Sequence, residues 1–253
     1  MKGKHAATKK KKSKIVILVQ IIFIVMLVVS ATEIIKWFID NKKNKDIMKS
    51  ISESVTVLKD NENEYNNAKY EIDFNKLKQI NSDTVAWIKV NNTNIQCPIV
   101  KTNNNDYYLT HNFEKEVNKA GWVFMDYKNR LDGTDKNIVV YGHNMRNGSM
   151  FGSLLNILTP EWQNNNDNMY ITLVTENECA KYQVFSVYQI ENEEYYIKTY
   201  FEEDEFEDFV NEVTKRSQKN YNVNVTNDDE LLTLSTCGNN TKYRVVLHAK
   251  KIQ

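Results

Sequence analysis

Cysteine is scarce in this chain. Only Cys97, Cys179 and Cys237 occur, and an odd number leaves at least one thiol unpaired. The scarcity excludes a fold held together by many disulfides, although Cys97 and Cys179 could still pair with each other. Cysteine and histidine spacings typical of metal sites are missing, and so is a glycine-rich phosphate loop. The sequence therefore predicts neither a metal nor another cofactor.

Basic residues are sparse outside the N-terminus. Of the 33 basic residues, seven are lysines within the first 14 residues, where no acidic residue occurs. The rest of the chain therefore holds 26 basic and 33 acidic residues, a net charge of −7. Since no basic patch of the kind that binds nucleic acid remains there, we predict no nucleic-acid partner.

One long apolar run follows the lysines. Residues 15–31 are apolar except for Gln20, and the run continues to Ile35, close to the roughly 20 residues that span a bilayer. Lysines before the run favour a cytoplasmic N-terminus. We therefore predict a cytoplasmic tail over residues 1–14 and a single transmembrane signal-anchor over residues 15–35, with the remainder on the extracellular face of the cell membrane.

A removed signal peptide is the alternative interpretation of the same run. Val29, Ser30 and Ala31 resemble a cleavage site. The apolar run of 17 residues is, however, longer than the roughly 7 to 15 residues usual in a signal peptide, which favours the anchor. In both cases the larger part of the chain is exported.

The exported part divides near residues 60–69, a polar and turn-rich segment. Before this segment, apolar residues at three- and four-residue spacings predict a helix over residues 33–58. After it, a short helix is predicted over residues 72–80. We therefore expect an extracellular helix and linker over residues 36–69 and one main domain over residues 70–253.

Short β-prone runs dominate the main domain. Residues 84–90 and 95–100 flank a turn-forming segment, which indicates a hairpin. Further strands are predicted at residues 121–125, 137–141, 170–174 and 181–190 and in two runs near the C-terminus. Helices are expected as insertions over residues 149–158 and 203–217. The predicted fold class is mostly β with helical insertions.

Acidic residues crowd positions 202–208 in the second insertion. A cation site is one interpretation of this run. Apolar residues recur through it at helical spacing, which favours a solvated helix face instead. They are Phe206, Phe209, Val210 and Val213.

A cysteine and an arginine near the C-terminus are placed where a hairpin brings them together. Residues 231–236 and 243–247 are β-prone, and Gly238 with the two asparagines after it favours a turn. Cys237 then ends one strand and Arg244 begins the next. A fixed cation beside a thiol favours the thiolate and can also hold an oxyanion.

Such a thiol requires a histidine as its acid–base partner, and the chain has four. His5 lies in the cytoplasmic tail, and His248 lies about 13 Å beyond Arg244 along its strand. His111 follows an aromatic loop, where an ordinary surface histidine is the simplest expectation. His143 follows an apolar strand in a polar loop, where functional side chains are often displayed. We therefore predict that His143 is the partner.

Three motifs occur in the order histidine, cysteine, arginine: YGHN at residues 141–144, TLSTC at residues 233–237, and Arg244. Behind an apolar N-terminal segment, they resemble the signature of sortases, the membrane-anchored cysteine transpeptidases of Gram-positive bacteria. The resemblance covers residues 72–252. The serine of TLSTC, the extended region before the fold and the insertion over residues 187–223 are most similar to class B sortases.

This resemblance implies an eight-stranded sortase-type β-barrel with N-terminal helices, preceded by one transmembrane helix. It implies that Cys237 attacks the carbonyl after the threonine of an NPxTx-like C-terminal sorting signal. His143 would transfer protons, and Arg244 would hold the substrate carbonyl or the oxyanion. The thioacyl enzyme would pass the surface protein to an amine of a lipid II-type peptidoglycan precursor.

The resemblance also implies a groove that binds the sorting peptide. Three candidates fall in the matching insertion, one lies on the cysteine's face of its strand, and one lies in the loop before His111. They are Tyr195, Tyr196, Ile197, Ser235 and Leu109. Aromatic residues in an insertion serve equally well as its own small core, so that alternative stays open.

Two other functions would use the same residues differently. A hydrolytic cysteine peptidase would keep the nucleophile and histidine without an amine acceptor, and a membrane-tethered binding or scaffold protein would need neither Cys237 nor Arg244. A peptidoglycan L,D-transpeptidase is disfavoured, because such enzymes carry glycine directly before the cysteine, where this chain has Thr236.

Overall fold

A computed structural model of the chain describes residues 14–58, 69–202, 204–238 and 242–253. Its contacts divide the chain into two units, Met1–Lys42 and Lys43–Gln253. The second unit begins before residue 70, where the sequence places the start of the main domain. Nearly all of the predicted cytoplasmic tail and of the predicted linker lies outside the described residues.

Helix α1 (Lys14–Ser52) forms the described part of the first unit and continues into the second. Within the described residues it is the one helix that is long and apolar enough to cross a membrane, with a mean hydropathy of 2.9 over its most apolar window. None of that window is buried against protein. The predicted span over residues 15–35 lies in this helix, which is therefore a candidate membrane anchor.

The end of α1 belongs to the second unit, where Ile47 and Ile51 are buried in the main core. The sequence predicted that the helix runs to Leu58, and this prediction was wrong. Strand β1 (Val55–Leu58) pairs antiparallel with β2 (Lys69–Ile72). Three consecutive β-branched residues, at positions 55–57, favour a strand at this point.

Eight strands close into a barrel, which confirms the predicted fold class. The barrel strands are β3 (Thr84–Val90), β4 (Gln96–Val100), β5 (Phe124–Met125), β6 (Asn137–Tyr141), β7 (Tyr170–Val174), β8 (Cys179–Glu191), β9 (Leu231–Cys237) and β10 (Tyr243–Lys251). Their order around the barrel is β10-β8-β7-β3-β4-β5-β6-β9. Among the described residues, the α-helices after α1 are α2 (Phe74–Ile80), α3 (Pro160–Gln163) and α4 (Glu205–Arg216).

Successive side chains along a strand point in opposite directions. One set fills the interior of the barrel, and the other packs against the helices outside it. Along β3, Ala86, Ile88 and Val90 belong to the main core, whereas Trp87 packs with Phe74 of α2 in a separate cluster. Elsewhere on the barrel, α4 packs against β8 and β10 through its buried apolar side chains. The central parts of β3, β8 and β10 are therefore buried on both faces, so they carry no continuous polar face.

Two predicted elements are shorter or tighter than expected. The predicted strand over residues 121–125 reduces to Phe124–Met125, because Gly121 has a left-handed backbone (φ 57°) and cannot continue a ladder. The first predicted insertion is a 3₁₀ helix (Gly152–Leu158) followed by α3. The second, α4, buries its four apolar residues, so the prediction of a solvated helix face for the acidic run was correct.

The thiols of Cys97 and Cys179 are both free, so these two residues do not form the disulfide that the sequence left open. Cys97 is buried inside the barrel, and burial raises the pKa of its thiol to about 12. It is therefore protonated at neutral pH and behaves as a small apolar side chain.

Candidate active site

The ends of β6 and β9 and the start of β10 bring the predicted catalytic residues close together in the fold. β6 and β9 are parallel, with Tyr141 opposite Ser235, and His143 and Cys237 each lie two residues farther along. β9 and β10 are antiparallel, and Arg244 pairs directly with Cys237. Because parallel strands end at the same edge of a sheet, the fold brings the three backbone positions together at one end of the barrel. Residues 239–241, part of the segment between the two strands for which the sequence predicts a turn, lie outside the described residues.

Hydrogen bonds outside the ladder tie the ends of β6 and β9 together. The hydroxyl of Thr236 donates to the carbonyl of Gly142 at 2.7 Å, and this bond is buried. The side chain of Asn144 donates to the carbonyl of Gly238 at 3.2 Å. The residues before and after Cys237 are therefore each bonded to a neighbour of His143.

Glycine at position 142 allows the chain to turn after β6. A Cβ atom there would lie 2.7 Å from the ring of Phe151, which is fully buried. The amide of Phe151 donates to the carbonyl of His143 at 3.0 Å. The close approach of Phe151 to Gly142 therefore sets the course of the loop that presents His143.

The ring of His143 is half-buried and is held by one backbone carbonyl. Its Nε2 lies 2.7 Å from the carbonyl oxygen of Leu109. A carbonyl oxygen can only accept a hydrogen bond, so the proton of this bond resides on Nε2. Nδ1 is then the nitrogen of His143 that is left for proton transfer.

Arg244 is held as part of a central strand. β10 lies between β9 and β8, so Arg244 pairs with Cys237 on one side and with Ile190 on the other. Its half-buried side chain donates from Nη1 to the carbonyl of Tyr243 at 3.2 Å. A guanidinium placed here offers several N–H donors in a planar arrangement beside the end of β9.

The five candidate peptide-binding residues differ in exposure. Leu109 and Tyr195 are 37% and 40% exposed. Tyr196 is buried in the cluster around α4, and its hydroxyl lies 3.1 Å from that of the buried Ser235. Ile197 is partly buried against the same cluster. Tyr196 therefore belongs to the small core of the insertion, which the sequence left open as an alternative to peptide binding.

The remaining described histidines make structural contacts. His111 stacks on Tyr107 with 4.0 Å between ring centroids and bonds its carbonyl through Nδ1 at 2.8 Å. His248 is fully buried, as expected for a structural strand residue, between Tyr188 and Thr233. Burial lowers the pKa of His248 to about 3, so this ring is neutral near pH 7.

The family model of the Sortase domain matches residues 88–252. The chain belongs to the sortase family. The sortase B of Listeria monocytogenes is 35% identical to it over 219 residues, which cover 84% of this chain and 87% of that protein.

Solved structures agree with this assignment. The sortase B structure of Clostridium perfringens is 39% identical, with a TM-score of 0.67, and covers 71% of this chain and 100% of its own. The sortase B of Bacillus anthracis, solved in complex with AAEK1, is 33% identical, with a TM-score of 0.73, and covers 85% and 99%. This sortase is most similar to class B enzymes and is a cysteine transpeptidase.

Sequence reasoning missed a buried carboxylate near the site of this sortase. Asp126 accepts from the hydroxyl of Tyr141 at 2.7 Å and from the side chain of Asn105 at 2.9 Å on one oxygen, and from the amide of Lys128 at 2.9 Å on the other. Burial and the neighbouring Asp126 raise the pKa of Tyr141, so the phenol stays protonated. No sequence motif marks Asp126, because only the barrel brings it beside β6.

The described residues include no cluster of three or more histidine, cysteine or acidic side chains able to hold a metal ion. The acidic side chains of α4 instead point outward from a helix whose apolar face is buried.

Proposed function

We propose that this sortase cleaves a C-terminal sorting signal after its threonine and joins the new carboxyl group to a peptidoglycan amine. The observation that carries the proposal is the strand register, which sets the backbones of His143, Cys237 and Arg244 side by side on three neighbouring segments. A transpeptidase needs a nucleophile, a proton carrier and an oxyanion donor within reach of one carbonyl.

In the first half-reaction, the thiolate of Cys237 attacks the carbonyl carbon of the threonine. The tetrahedral intermediate collapses as the C–N bond breaks, and His143, as imidazolium, gives the proton on Nδ1 to the departing amine. The product is a thioacyl enzyme with neutral His143. The bond from Nε2 to Leu109 keeps the second proton in place throughout.

In the second half-reaction, an amine of a lipid II-type precursor attacks the thioester. Neutral His143 takes a proton from the attacking nitrogen, the C–S bond breaks, and Cys237 leaves as thiolate. The imidazolium and thiolate of the starting state are thereby restored.

Arg244 stabilises the negative charge that develops on the carbonyl oxygen. Charge-assisted hydrogen bonds from a guanidinium are short and directional, and its planar geometry is fixed. The position of Arg244 between two paired strands limits how far its backbone can shift as the charge develops.

We propose that the sorting peptide, of NPxTx-like sequence, lies against the insertion and the loop before His111. The exposed side chains of Leu109 and Tyr195 and the partly buried Ile197 would contact it. Tyr196 and Ser235 would support the wall through their buried hydroxyl contact.

We further propose that α1 anchors the enzyme in the cell membrane with its N-terminus in the cytoplasm. The apolar window of α1 and the lysines before it support this orientation. The catalytic unit then faces the extracellular side, where surface proteins and wall precursors meet.

Quenched pentapeptides of NPxTx, SPxTx, PPxTx and LPxTx type test the proposal. We expect the wild type to cleave the NPxTx peptide after threonine and to carry a thioacyl adduct on Cys237, detected by mass spectrometry. Cys237→Ala should be inactive, whereas the matched control Cys179→Ala, which removes a free thiol elsewhere in the chain, should remain active. Cleavage by Cys237→Ala would refute the mechanism.

An added amine distinguishes transfer from hydrolysis. With glycine or a diaminopimelate amine present, the threonine fragment should leave as the new amide. Release of the free acid alone, whatever amine is added, would instead identify a hydrolytic cysteine peptidase.

A further inference from the structure

The loop between β4 and β5 decides where the ring of His143 is held. The carbonyl of Leu109, which accepts from Nε2, closes a short 3₁₀ helix (Tyr107–Leu109) in this loop. A shift of that carbonyl would move the ring or release the Nε2 proton. The residues that fix this carbonyl therefore bear on the tautomer of His143.

Gly121 lies directly against both members of this bond. A Cβ atom at Gly121 would come within 3.0 Å of Cδ2 of His143, 3.0 Å of the carbonyl oxygen of Leu109 and 2.4 Å of that of Tyr108. The amide of Trp122, the next residue, donates to the carbonyl of Tyr108 at 2.9 Å. The backbone of Gly121 therefore packs directly against the carbonyl of Leu109 and the ring of His143.

Asn118 holds the turn that ends at Gly121. Its side-chain oxygen accepts from the amide of Ala120 at 2.9 Å, and its backbone carbonyl accepts from the amide of Gly121 at 3.0 Å. Its own amide donates to the carbonyl of Thr110 at 2.8 Å, which closes the loop just after Leu109. Asn118 is 2% exposed, so these bonds are shielded from water.

Helix α1 supplies the next support. The side-chain nitrogen of Asn118 donates to Oδ1 of Asn44, itself 2% exposed, at 3.0 Å. One residue earlier, Lys43 forms ion pairs with Glu114 and Glu116 of the same loop. Two consecutive residues of α1 therefore fasten the loop that carries Leu109 and Gly121.

We propose that Asn118, braced by Asn44, is a positioning residue for His143. Through the turn at Gly121 it fixes the Leu109 carbonyl, which keeps a proton on Nε2 and reserves Nδ1 for proton transfer. The catalytic consequence rests on the proposed function, in which His143 is the acid and base. The effect of Asn118 on the tautomer of His143 does not rest on the proposed function.

Histidine-selective ¹⁵N labelling of the full chain in detergent micelles tests the tautomer directly, because the chain has only four histidines. His143→Gln assigns the signal. In the wild type, neutral His143 should carry its proton on Nε2. In Asn118→Ala it should show a mixture with the Nδ1–H form, and kcat should fall about tenfold with little change in KM.

Asn168→Ala is the matched control for lost stability. Asn168 is also a buried asparagine whose side chain donates one bond, to the carbonyl of Trp162, and accepts one, from Asn92. We expect this variant to lower the melting temperature while the tautomer of His143 and kcat stay at wild-type values. Asn44→Ala, which leaves the internal bonds of the loop intact, should shift the tautomer in the same direction as Asn118→Ala but less.

The proposal is overturned if Asn118→Ala and Asn44→Ala keep the wild-type tautomer and kcat, as the control does. Failure of the proposed function gives a different result: His143→Gln would retain activity, while the tautomer of His143 would still depend on Asn118.

Discussion

Arg244 and His248 lie four residues apart on β10, yet their surroundings give them opposite properties. Arg244 is half-buried at the end of the strand, where its backbone pairs with that of Cys237 in the ladder. His248 is fully buried, and desolvation keeps it neutral. Position along one strand therefore separates a candidate catalytic cation from a structural ring.

Replacing Arg244 by lysine tests whether planar donors are required. Lysine keeps the positive charge but loses the fixed guanidinium geometry, so we expect Arg244→Lys to lower kcat about 100-fold. The measurement is steady-state cleavage of the peptide that the wild type prefers. The control Arg130→Lys changes an exposed arginine and should leave kcat unaltered. If Arg244→Lys were as active as the wild type, the planar geometry of the guanidinium would not be required to stabilise the oxyanion.

The hydrogen-bond partners of His248 fit a neutral ring. The hydroxyl of Thr233 donates to Oδ1 of Asn137, so it accepts from Nδ1–H of His248, and Nε2 accepts from the hydroxyl of Tyr188. Asn137 in turn donates to the carbonyl of Lys198 in the insertion. This chain of bonds connects β8, β10, β9 and β6 around the neutral ring.

Acid should weaken the fold through His248. The pKa of this ring is about 3 when folded and 6.5 when unfolded, so below pH 6.5 the unfolded state takes up a proton that the folded state refuses. The stability that His248 provides is complete above pH 6.5 and is lost toward pH 3, by about 1.4 kcal/mol per pH unit.

Denaturant unfolding of the wild type and His248→Gln at several pH values between 7.5 and 4 measures this loss. The difference in free energy of unfolding between the two proteins should shrink as the pH falls below 6.5. A difference that is the same at pH 7.5 and pH 4.5 would contradict the buried, neutral assignment.

At the scale of elements, the strand order explains which parts of the site the sequence could predict. Cys237 and Arg244 belong to consecutive strands that lie close together in the sequence, so turn-forming residues and β-propensity are enough to predict their pairing. β6 and β9 are far apart in sequence and meet as parallel neighbours, which no local pattern indicates. His143 was therefore chosen from its loop context, and only the barrel shows that its strand adjoins that of Cys237.

The loop after β6 depends on the absence of a side chain at position 142. We expect Gly142→Ala to cost about 1 to 3 kcal/mol of unfolding free energy, since its Cβ would overlap the ring of Phe151. It should also lower kcat, because the loop carries His143. A double-mutant cycle with Phe151→Leu measures the overlap: the pair should lose less stability than the two single variants together. Strict additivity would mean that Phe151 is not the obstacle.

At the scale of the whole molecule, the catalytic unit includes the end of the long N-terminal helix. The second unit starts at Lys43, and its first residues contribute buried side chains to the barrel's core. Sequence periodicity recognised a helix in this region but not its docking, because Ile47 and Ile51 alone do not say which surface they cover. A catalytic fragment that begins near residue 70 would lack these contacts.

Truncating those side chains tests the boundary. Ile47→Ala and Ile51→Ala should each lower the free energy of unfolding by about 2 to 5 kcal/mol, as expected for large-to-small changes in a core. Lys49→Ala, an exposed position on the same turns of the helix, should have little effect. Denaturant titration of the second unit measures the free energy of unfolding of each variant. If the isoleucine variants were as stable as Lys49→Ala, the end of α1 would not contribute to the stability of this unit.

By itself, the sequence determined the apolar segment that is a candidate anchor, the β-rich class, the pairing of the cysteine and arginine strands and the family, because each depends on residues close together in the chain or on short motifs. Only the tertiary structure decided that Tyr196 is core, that Asp126 lies buried beside Tyr141, and that Leu109 and Asn44 bear on His143. These contacts join segments separated by long stretches of sequence, and burial and hydrogen bonding between such segments exist only once the barrel has closed.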